Sequence, residues 1–183
     1  SLFINNKDKV QAMTVDKAGE YMAEFAINFF DAHASETRYG TGGRASAYQG
    51  KKSGGYYEFD CVGWISFVIH QTLDEYGAAS YTDFVVPYGP GNNAYYRNGF
   101  KEVHGSLGSR KAIPLQELKS ILKPGDIVCK TAKHVMLYVG DNTLIHCTGH
   151  GPGPEYGGDS GYGLIKESLD HFYGTGAGIE VVG

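Results

Sequence analysis

The sequence is poor in the features that mark several large classes of protein. Three cysteines in 183 residues are too few for a disulfide-stapled secreted domain, and no CxxC or paired His/Cys spacing indicates structural zinc. No apolar stretch reaches the roughly 18 residues that a membrane-spanning helix needs. The formal net charge of -4, with no run of one sign, argues against a nucleic-acid partner, which usually selects a basic stripe.

The remaining composition is that of an ordinary globular protein, with 42% hydrophobic and 20% charged residues. We expect a single domain over residues 1–183, in which residues 1–22 form an N-terminal extension and the start of the first helix. The chain begins with Ser1, and no signal peptide follows. We therefore expect either a leader that has been removed or a domain of a longer chain.

Three segments have the pattern of helices. Apolar residues recur at three- and four-residue steps over 15–33, which predicts an amphipathic helix capped by Thr14 or Asp16. A second helix is predicted over 60–77, where Gly77 would end it. The stretch "PLQELKSIL" at 114–122 predicts a short helix with proline in its first turn.

The second half of the chain has the pattern of strands. These are "DIVCK" (126–130), "HVMLYV" (134–139), "TLIHC" (143–147) and a closing "GIEVV" (178–182), with the middle two forming a hairpin. The glycine-rich or non-periodic segments 37–59, 78–112 and 148–163 are interpreted as loops, and 85–100 as either a functional or a merely irregular one. Helices followed by an antiparallel sheet predict an α+β domain.

Cys61 is the best placed of the three cysteines to act as a nucleophile. It lies at the start of the second predicted helix, where backbone N–H groups and the helix dipole favour the reactive thiolate. Cys129 and Cys147 lie in predicted strands, where buried structural cysteines are usual, and a disulfide between them is compatible with the sequence. Inert packing is the more usual role of a cysteine, and only a base that meets the thiol would favour the nucleophile.

Two of the seven histidines stand out as candidates for that base. His134 opens the first strand of the hairpin, and His146 lies near the end of the second. A three-residue turn would pair Val139 with Thr143 and place both histidines on one face, close enough for one to orient the other. A two-residue turn would place them on opposite faces.

Three blocks of the sequence occur in an order and spacing that resemble one known family. They are "DCVGW" at 60–64, "KPGDIV" at 123–128 and "HVMLYVGDNTLIHC" at 134–147. The blocks are similar to "DCSGF", "KPGDLV" and "HVGIYLGDGKMIHA" of the NlpC/p60 cysteine peptidases of bacterial cell walls. The resemblance reaches from about Ala23 to the C-terminus.

The resemblance implies a catalytic set and a fold. Cys61 would be the nucleophile, His134 the general base and His146 the residue that orients it. The fold would be papain-like, with N-terminal helices packed on a central antiparallel sheet and with no metal or organic cofactor. Asp60 matches a residue that can meet a free substrate amine. Tyr39 is similar to a family tyrosine near the active site, although it could equally be an ordinary tyrosine of the core or surface.

The sequence departs from the family pattern at three positions. Val62 replaces a serine that can contribute to substrate recognition, so it is a candidate substrate-binding position. Trp64 stands where phenylalanine is common, and Cys147 where alanine is frequent. These changes spare the catalytic residues and leave open which bond of the substrate is cut.

The substrate implied by the resemblance is the peptide stem of peptidoglycan, cut between γ-D-glutamate and a diamino acid. The protein would then be secreted, periplasmic or cell-wall-associated, and a targeting partner or a missing wall-binding domain would bring it to the wall. The alternatives are an N-acetylmuramoyl-L-alanine amidase or phage-type lysin, a catalytically silent binding module, and a thiol acyltransferase or deamidase acting on proteins.

Overall fold

In the part of the chain that the structure describes, two long helices and two short ones lie on opposite faces of an antiparallel sheet. The computed structural model describes residues 15–40, 55–73, 101–105, 111–130, 134–149, 163–173 and 179–183. Its helices are α1 (Val15–His33), α2 (Cys61–Leu73), α3 (Leu115–Ile121) and α4 (Leu169–Tyr173), with a 3₁₀ turn at Ala34–Glu36. The predicted α+β class, with N-terminal helices packed on an antiparallel sheet, is confirmed.

The strands form one large sheet and one small one. They are β1 (Thr37–Tyr39), β2 (Tyr57–Phe59), β3 (Glu102–His104), β4 (Ile127–Lys130), β5 (His134–Gly140), β6 (Thr143–Thr148), β7 (Gly163–Ser168) and β8 (Ile179–Val182). Six strands pair in the order β3-β8-β4-β5-β6-β7, and every pairing is antiparallel. The short strands β1 and β2 pair in parallel, so that Tyr39 lies opposite Phe59.

Hydrophobic clusters cover both faces of the large sheet. The cluster under α1 and α2 includes Trp64 and Ile65 from α2 and every second residue of β5, beginning with Val135. The cluster on the other face includes Leu118 of α3 and Leu169 of α4, packed against the alternate residues of β5. Because neighbouring residues of a strand point to opposite faces, the central strands β4, β5 and β6 contribute to both clusters.

The hairpin of β5 and β6 has an irregular register that decides which face its residues occupy. Asp141 and Asn142 form the turn, both with positive φ (48° and 58°), and Gly140 pairs with Thr143. Such a two-residue turn alone would place His134 and His146 on opposite faces of the hairpin. A bulge at Val139 then inserts one residue into β5, and Leu137 pairs with Ile145. The predicted three-residue turn is therefore wrong. The pairing that it was expected to produce, with both histidines on one face, is nevertheless present.

The turn before β4 is in direct backbone contact with α1. Gly125 has φ +94°, and a Cβ there would lie 2.3 Å from the Cα of Gly19. A Cβ at Gly19 would in turn lie 2.2 Å from the carbonyl oxygen of Pro124. Any larger residue at either glycine would push α1 away from the turn that begins the "KPGDIV" strand.

Several predicted boundaries and loops differ from the structure. The first helix and the strand-rich second half are confirmed, whereas the segment 37–59 contains β1 and β2 and is not entirely loop. Strands β3 and β7 and helix α4 were not predicted, since each is short and lacks a clear period. The stop at Gly77, the cap at Thr14 and the loop 85–100 lie outside the described residues.

Candidate active site

The first turn of α2 holds Cys61 at the helix N-terminus. Asp60 immediately precedes the helix, and its side-chain Oδ1 accepts a hydrogen bond from the backbone N–H of Gly63 at 2.6 Å. This is the bond of an N-cap residue, and it fixes where the helix begins. Asp60 and Cys61 are both buried, with Cys61 2% exposed. The predicted helix start at Asp60 is thus one residue early, because Asp60 is the cap.

The strand before α2 ties the helix start to the end of β6. The carbonyl oxygen of Phe59 accepts hydrogen bonds from the thiol of Cys147 at 3.2 Å and from the backbone N–H of Gly40 at 3.1 Å. Burial, followed by the negative charges of Cys61 and Asp60, raises the pKa of the Cys147 thiol well above its usual 9.0. Cys147 is therefore a neutral hydrogen-bond donor. None of the three cysteines forms a disulfide, so the Cys129–Cys147 bridge is absent.

His134 and His146 are in direct contact. Nε2 of His134 lies 2.6 Å from Nδ1 of His146, and the two rings meet edge to face with centroids 4.8 Å apart. The register explains the contact, since pairing of Leu137 with Ile145 places His146 opposite Met136, two residues along the same face from His134. His134 makes this contact through Nε2 and not through its second ring nitrogen, Nδ1.

A buried glutamate continues the chain of contacts behind His146. Nε2 of His146 lies 2.6 Å from Oε1 of Glu167, and Nδ1 of His171 lies 2.7 Å from Oε2 of the same carboxyl. The side chains of His146 and Glu167 are 1% and 2% exposed, and that of His171 is 32% exposed. Four ionisable side chains from β5, β6, β7 and α4 thus form one continuous line.

Sequence reasoning missed Glu167 and His171. Glu167 lies in "LIKES", a segment with no catalytic motif, and it meets His146 only because Leu144 pairs with Glu167 across β6 and β7. The four-residue spacing from Glu167 to His171 was the one local signal available. Without the β6–β7 register, that spacing gives no reason to connect either residue with His146.

The charges around Glu167 keep its carboxyl ionised. Burial alone would raise the pKa of Glu167, but hydrogen bonds and charge interactions with His146 and His171 outweigh it and lower the pKa below the usual 4.5. Lys130 of β4 also acts on this carboxyl. Burial lowers the pKa of Lys130, and the charge of Glu167 partly opposes that shift. Glu167 is therefore an acceptor for both histidines.

The predicted substrate-binding residues occupy three different environments. Tyr39 is half-buried, and a Cβ at Gly149 would lie 2.5 Å from its Cδ1, so the ring packs directly over the residue that follows β6. Asp60 caps α2 as described. Val62 is completely buried in the cluster under α1 and α2, so its side chain has no exposed surface to offer a ligand.

The structure brings His134 and His146 into contact, and it connects the start of α2 to the two strands that carry this pair. The α2 N-terminus is tied to Cys147, the neighbour of His146, and Cys61 shares a hydrophobic cluster with Val135, the neighbour of His134. A helix N-terminus can stabilise a thiolate, and a histidine held by a second polar group can serve as a base. Within the described ranges, no group of three His, Cys, Asp or Glu residues is arranged to hold a metal ion.

Comparisons with known proteins give structural similarity only. No protein-family model matches the chain, and no curated protein sequence matches it. NlpC2 from Trichomonas vaginalis has 14% identity and a TM-score of 0.41, with 84% of this chain and 42% of that chain covered. NlpC1 from the same organism has 16% identity and a TM-score of 0.43, with 90% and 42% covered.

A third similar structure is a mutated form of RipA, a Resuscitation Promoting Factor Interacting protein. It has 17% identity and a TM-score of 0.48, with 93% of this chain and 65% of that chain covered. The chain therefore spans less than two thirds of each of the three structures. Two of the three carry in their names the family that the sequence blocks resemble, and similarity at this level carries no inference about activity.

Proposed function

We propose that the protein is a cysteine peptidase of the NlpC/p60 type that hydrolyses an amide bond in the peptide stem of bacterial peptidoglycan. The observation that carries the proposal is the 2.6 Å contact between His134 and His146, formed by a hairpin whose sequence also carries the longest of the three family-like blocks. Cys61 at a capped helix N-terminus supplies the second half of the catalytic set. The scissile bond would be that between γ-D-glutamate and the diamino acid.

In the proposed mechanism, His134 acts through Nδ1, because its Nε2 faces His146. Nδ1 takes the proton of the Cys61 thiol, and the resulting thiolate attacks the amide carbonyl carbon to form a C–S bond and a tetrahedral oxyanion. The backbone N–H of Cys61 and a second donor at the helix start would hold that oxyanion. The C–N bond then breaks, and the leaving amine receives the proton from His134.

The same two residues then hydrolyse the thioester, with water as the nucleophile and the Cys61 sulfur as the leaving group. His134 Nδ1 takes a proton from water, the hydroxide attacks the thioester carbonyl, and the Cys61 sulfur leaves and recovers its proton. No oxidant, reductant or metal enters this balance. His146 holds the His134 ring in place throughout and disperses the positive charge that forms on it.

In this proposal, Tyr39, Asp60 and Val62 differ in how directly they would affect substrate binding. Tyr39, which packs over Gly149, would line the approach to the catalytic groups. Asp60 would serve first to cap α2, with any contact to a substrate amine made by the carboxylate oxygen that Gly63 does not use. Val62 would influence recognition only indirectly, through its packing in the core.

The setting of the enzyme follows from its substrate. A peptidoglycan hydrolase acts outside the cytoplasmic membrane, so we propose a secreted, periplasmic or wall-associated location. None of the helices in the described part of the chain is both long and apolar enough to cross a membrane. A targeting partner or a wall-binding domain elsewhere in the protein would supply affinity for the wall.

The deciding experiment is mass spectrometry of purified peptidoglycan digested with the protein, beside a Cys61→Ala control. We expect new fragments that end at D-glutamate with the wild-type protein and none with the control. Glycan strands stripped of whole stem peptides would establish an amidase of the same chemistry instead. No Cys61-dependent product from walls of several chemotypes would refute hydrolysis of peptidoglycan.

A further inference from the structure

The side chain that the proposed catalytic set leaves unexplained is Glu167. A carboxylate with a side chain only 2% exposed is costly to bury unless charged or hydrogen-bonding partners compensate. Glu167 has partners on both oxygens: His146 on Oε1 and His171 on Oε2. Such an arrangement stabilises the ionised carboxylate, and it also constrains the histidine that lies between Glu167 and His134.

The direction of the hydrogen bonds along this line follows from the charge of Glu167. An ionised carboxylate can only accept, so the bond to His146 requires a proton on Nε2 of that ring. In the neutral ring Nδ1 then carries no proton and accepts from Nε2–H of His134. His134 in turn presents an unprotonated Nδ1, the form needed to take a proton from the Cys61 thiol.

We propose that Glu167 is a positioning residue that fixes the tautomer of His146 and, through it, the tautomer of His134. Its kinetic consequence rests on the proposed hydrolysis, whereas the tautomers themselves can be observed in the resting protein. When His134 becomes positively charged during the reaction, no proton in the line has to change sides. The buried negative charge lies at the far end of the same line and stabilises that state.

His171 and Lys130 complete the surroundings of the carboxylate. The backbone N–H of His171 is bonded to the Ser168 side chain at 3.1 Å, and α4 is attached to the hairpin turn by the bond from Leu169 N–H to the Asn142 carbonyl at 2.9 Å. These contacts hold His171 against the second oxygen of Glu167. The ionisable groups whose interactions with Glu167 are established are therefore His146 from β6, His171 from α4 and Lys130 from β4.

The first test requires no substitution. Long-range proton–nitrogen correlation spectra of the ¹⁵N-histidine-labelled full chain report which ring nitrogen carries the proton. We expect His134 and His146 both as Nε2–H tautomers when neutral. A neutral His146 protonated on Nδ1 in the wild-type protein would overturn the inference, whatever the enzymatic result.

The second test is Glu167→Gln, which keeps the volume of the side chain and removes its charge. Loss of a carboxylate that acts directly on a catalytic histidine costs about 10⁴-fold, so one acting through a second ring should cost less, about 10²-fold in kcat. We expect little change in KM, a change in the His146 nitrogen spectrum, and a shifted acid limb of the kcat/KM profile. Glu167→Asp, which keeps the charge, should restore part of the loss.

The matched control is Glu36→Gln, because Glu36 also pairs with a histidine, His33 at 3.4 Å, on the partly exposed C-terminal end of α1. This variant should keep the wild-type kcat. Wild-type kcat and unchanged histidine spectra in folded Glu167→Gln would overturn the positioning role. If the variant does not fold, the wild-type spectrum decides. If the wild-type protein shows no Cys61-dependent hydrolysis, the proposed function fails and the spectra alone decide the role of Glu167.

Discussion

The two faces of the central sheet surround their buried ionisable side chains with different partners. Cys147 and His146 are neighbours in β6, and strand alternation sends the thiol to the α1–α2 face and the imidazole to the α3–α4 face. The thiol is surrounded by apolar residues and nearby negative charge, and its pKa is raised. The imidazole is held between His134 and Glu167.

This difference shows that burial by itself does not determine whether the charged form of a side chain is stabilised or opposed. Cys147 stays protonated because its surroundings oppose the thiolate form. Its thiol donates a hydrogen bond to the carbonyl oxygen of Phe59. His146 is just as buried, but an ionised carboxylate lies against its second nitrogen. The charge state that a buried group favours therefore depends on the partners that the fold provides on its own face.

The largest effect that would test this comparison is on the proposed catalysis by the histidines of β5 and β6. His134→Ala should abolish hydrolysis, a loss of about 10⁴-fold or more, because it removes the base. His146→Ala should cause a smaller loss of about 10²-fold, since it orients the base and transfers no proton itself. Initial rates on a stem-peptide substrate, with circular dichroism to verify folding, measure both. Equal losses would show that the two rings share one role.

A second effect should appear in the alkylation rates of Cys61 and Cys147, which are both buried. Cys61 lies at a helix N-terminus, whereas the raised pKa of Cys147 keeps it protonated. Alkylation by iodoacetamide at about pH 7.5, followed by peptide mapping, should proceed at least about tenfold faster at Cys61. The His134→Ala variant should reduce that difference. Comparable rates at the two thiols in the wild-type protein would contradict the proposed nucleophile.

The smallest effect is on stability, and it should have opposite pH dependence for the two faces. The pKa of Glu167 is lowered by folding, so its stabilising contribution is present above 4.5 and is lost as the pH falls through the folded-state value. The pKa of Cys147 is raised, so its contribution is present below 9.0 and is lost at higher pH. Urea unfolding across the pH range measures both.

Each variant should flatten one limb of that stability profile. Glu167→Gln should weaken the dependence on the acid side alone, and Cys147→Ala should do so on the alkaline side alone. Differences in slope matter here and not absolute stability, because both substitutions also change packing. An acid limb that stays unchanged in Glu167→Gln would mean that the carboxyl is not stabilised by its histidine partners.

The parts of the structure that the sequence predicts are those with a strong local signal. The amphipathic periodicity of 15–33 and the alternating strands of the hairpin were sufficient to place α1, β5 and β6. The contact between His134 and His146 was predicted from the register, although for the wrong turn length. The bulge at Val139 could not be anticipated, because the residue pattern of β5 contains no signal for an inserted residue.

Glu167 illustrates the kind of residue that local patterns cannot reveal. Its partner His146 is 21 residues away, and the contact depends on the register between β6 and β7. Seven of the twenty intervening residues are glycine, and such a segment carries no periodic signal from which a register could be derived. Burial of Val62 has a similar origin, since it depends on how α2 lies against the sheet.

The bulge at Val139 means that the register of the hairpin depends on an inserted residue of β5 as well as on the length of the turn. Removing one residue while the bulge is kept would shift the register by one and send the His146 ring to the opposite face, whereas removing the bulge residue itself would leave Leu137 opposite Ile145. Adding two residues would preserve the shared face and lengthen only the turn. A natural or engineered change of one residue in this hairpin is therefore compatible with the histidine pair only where gain or loss of a bulge compensates for it.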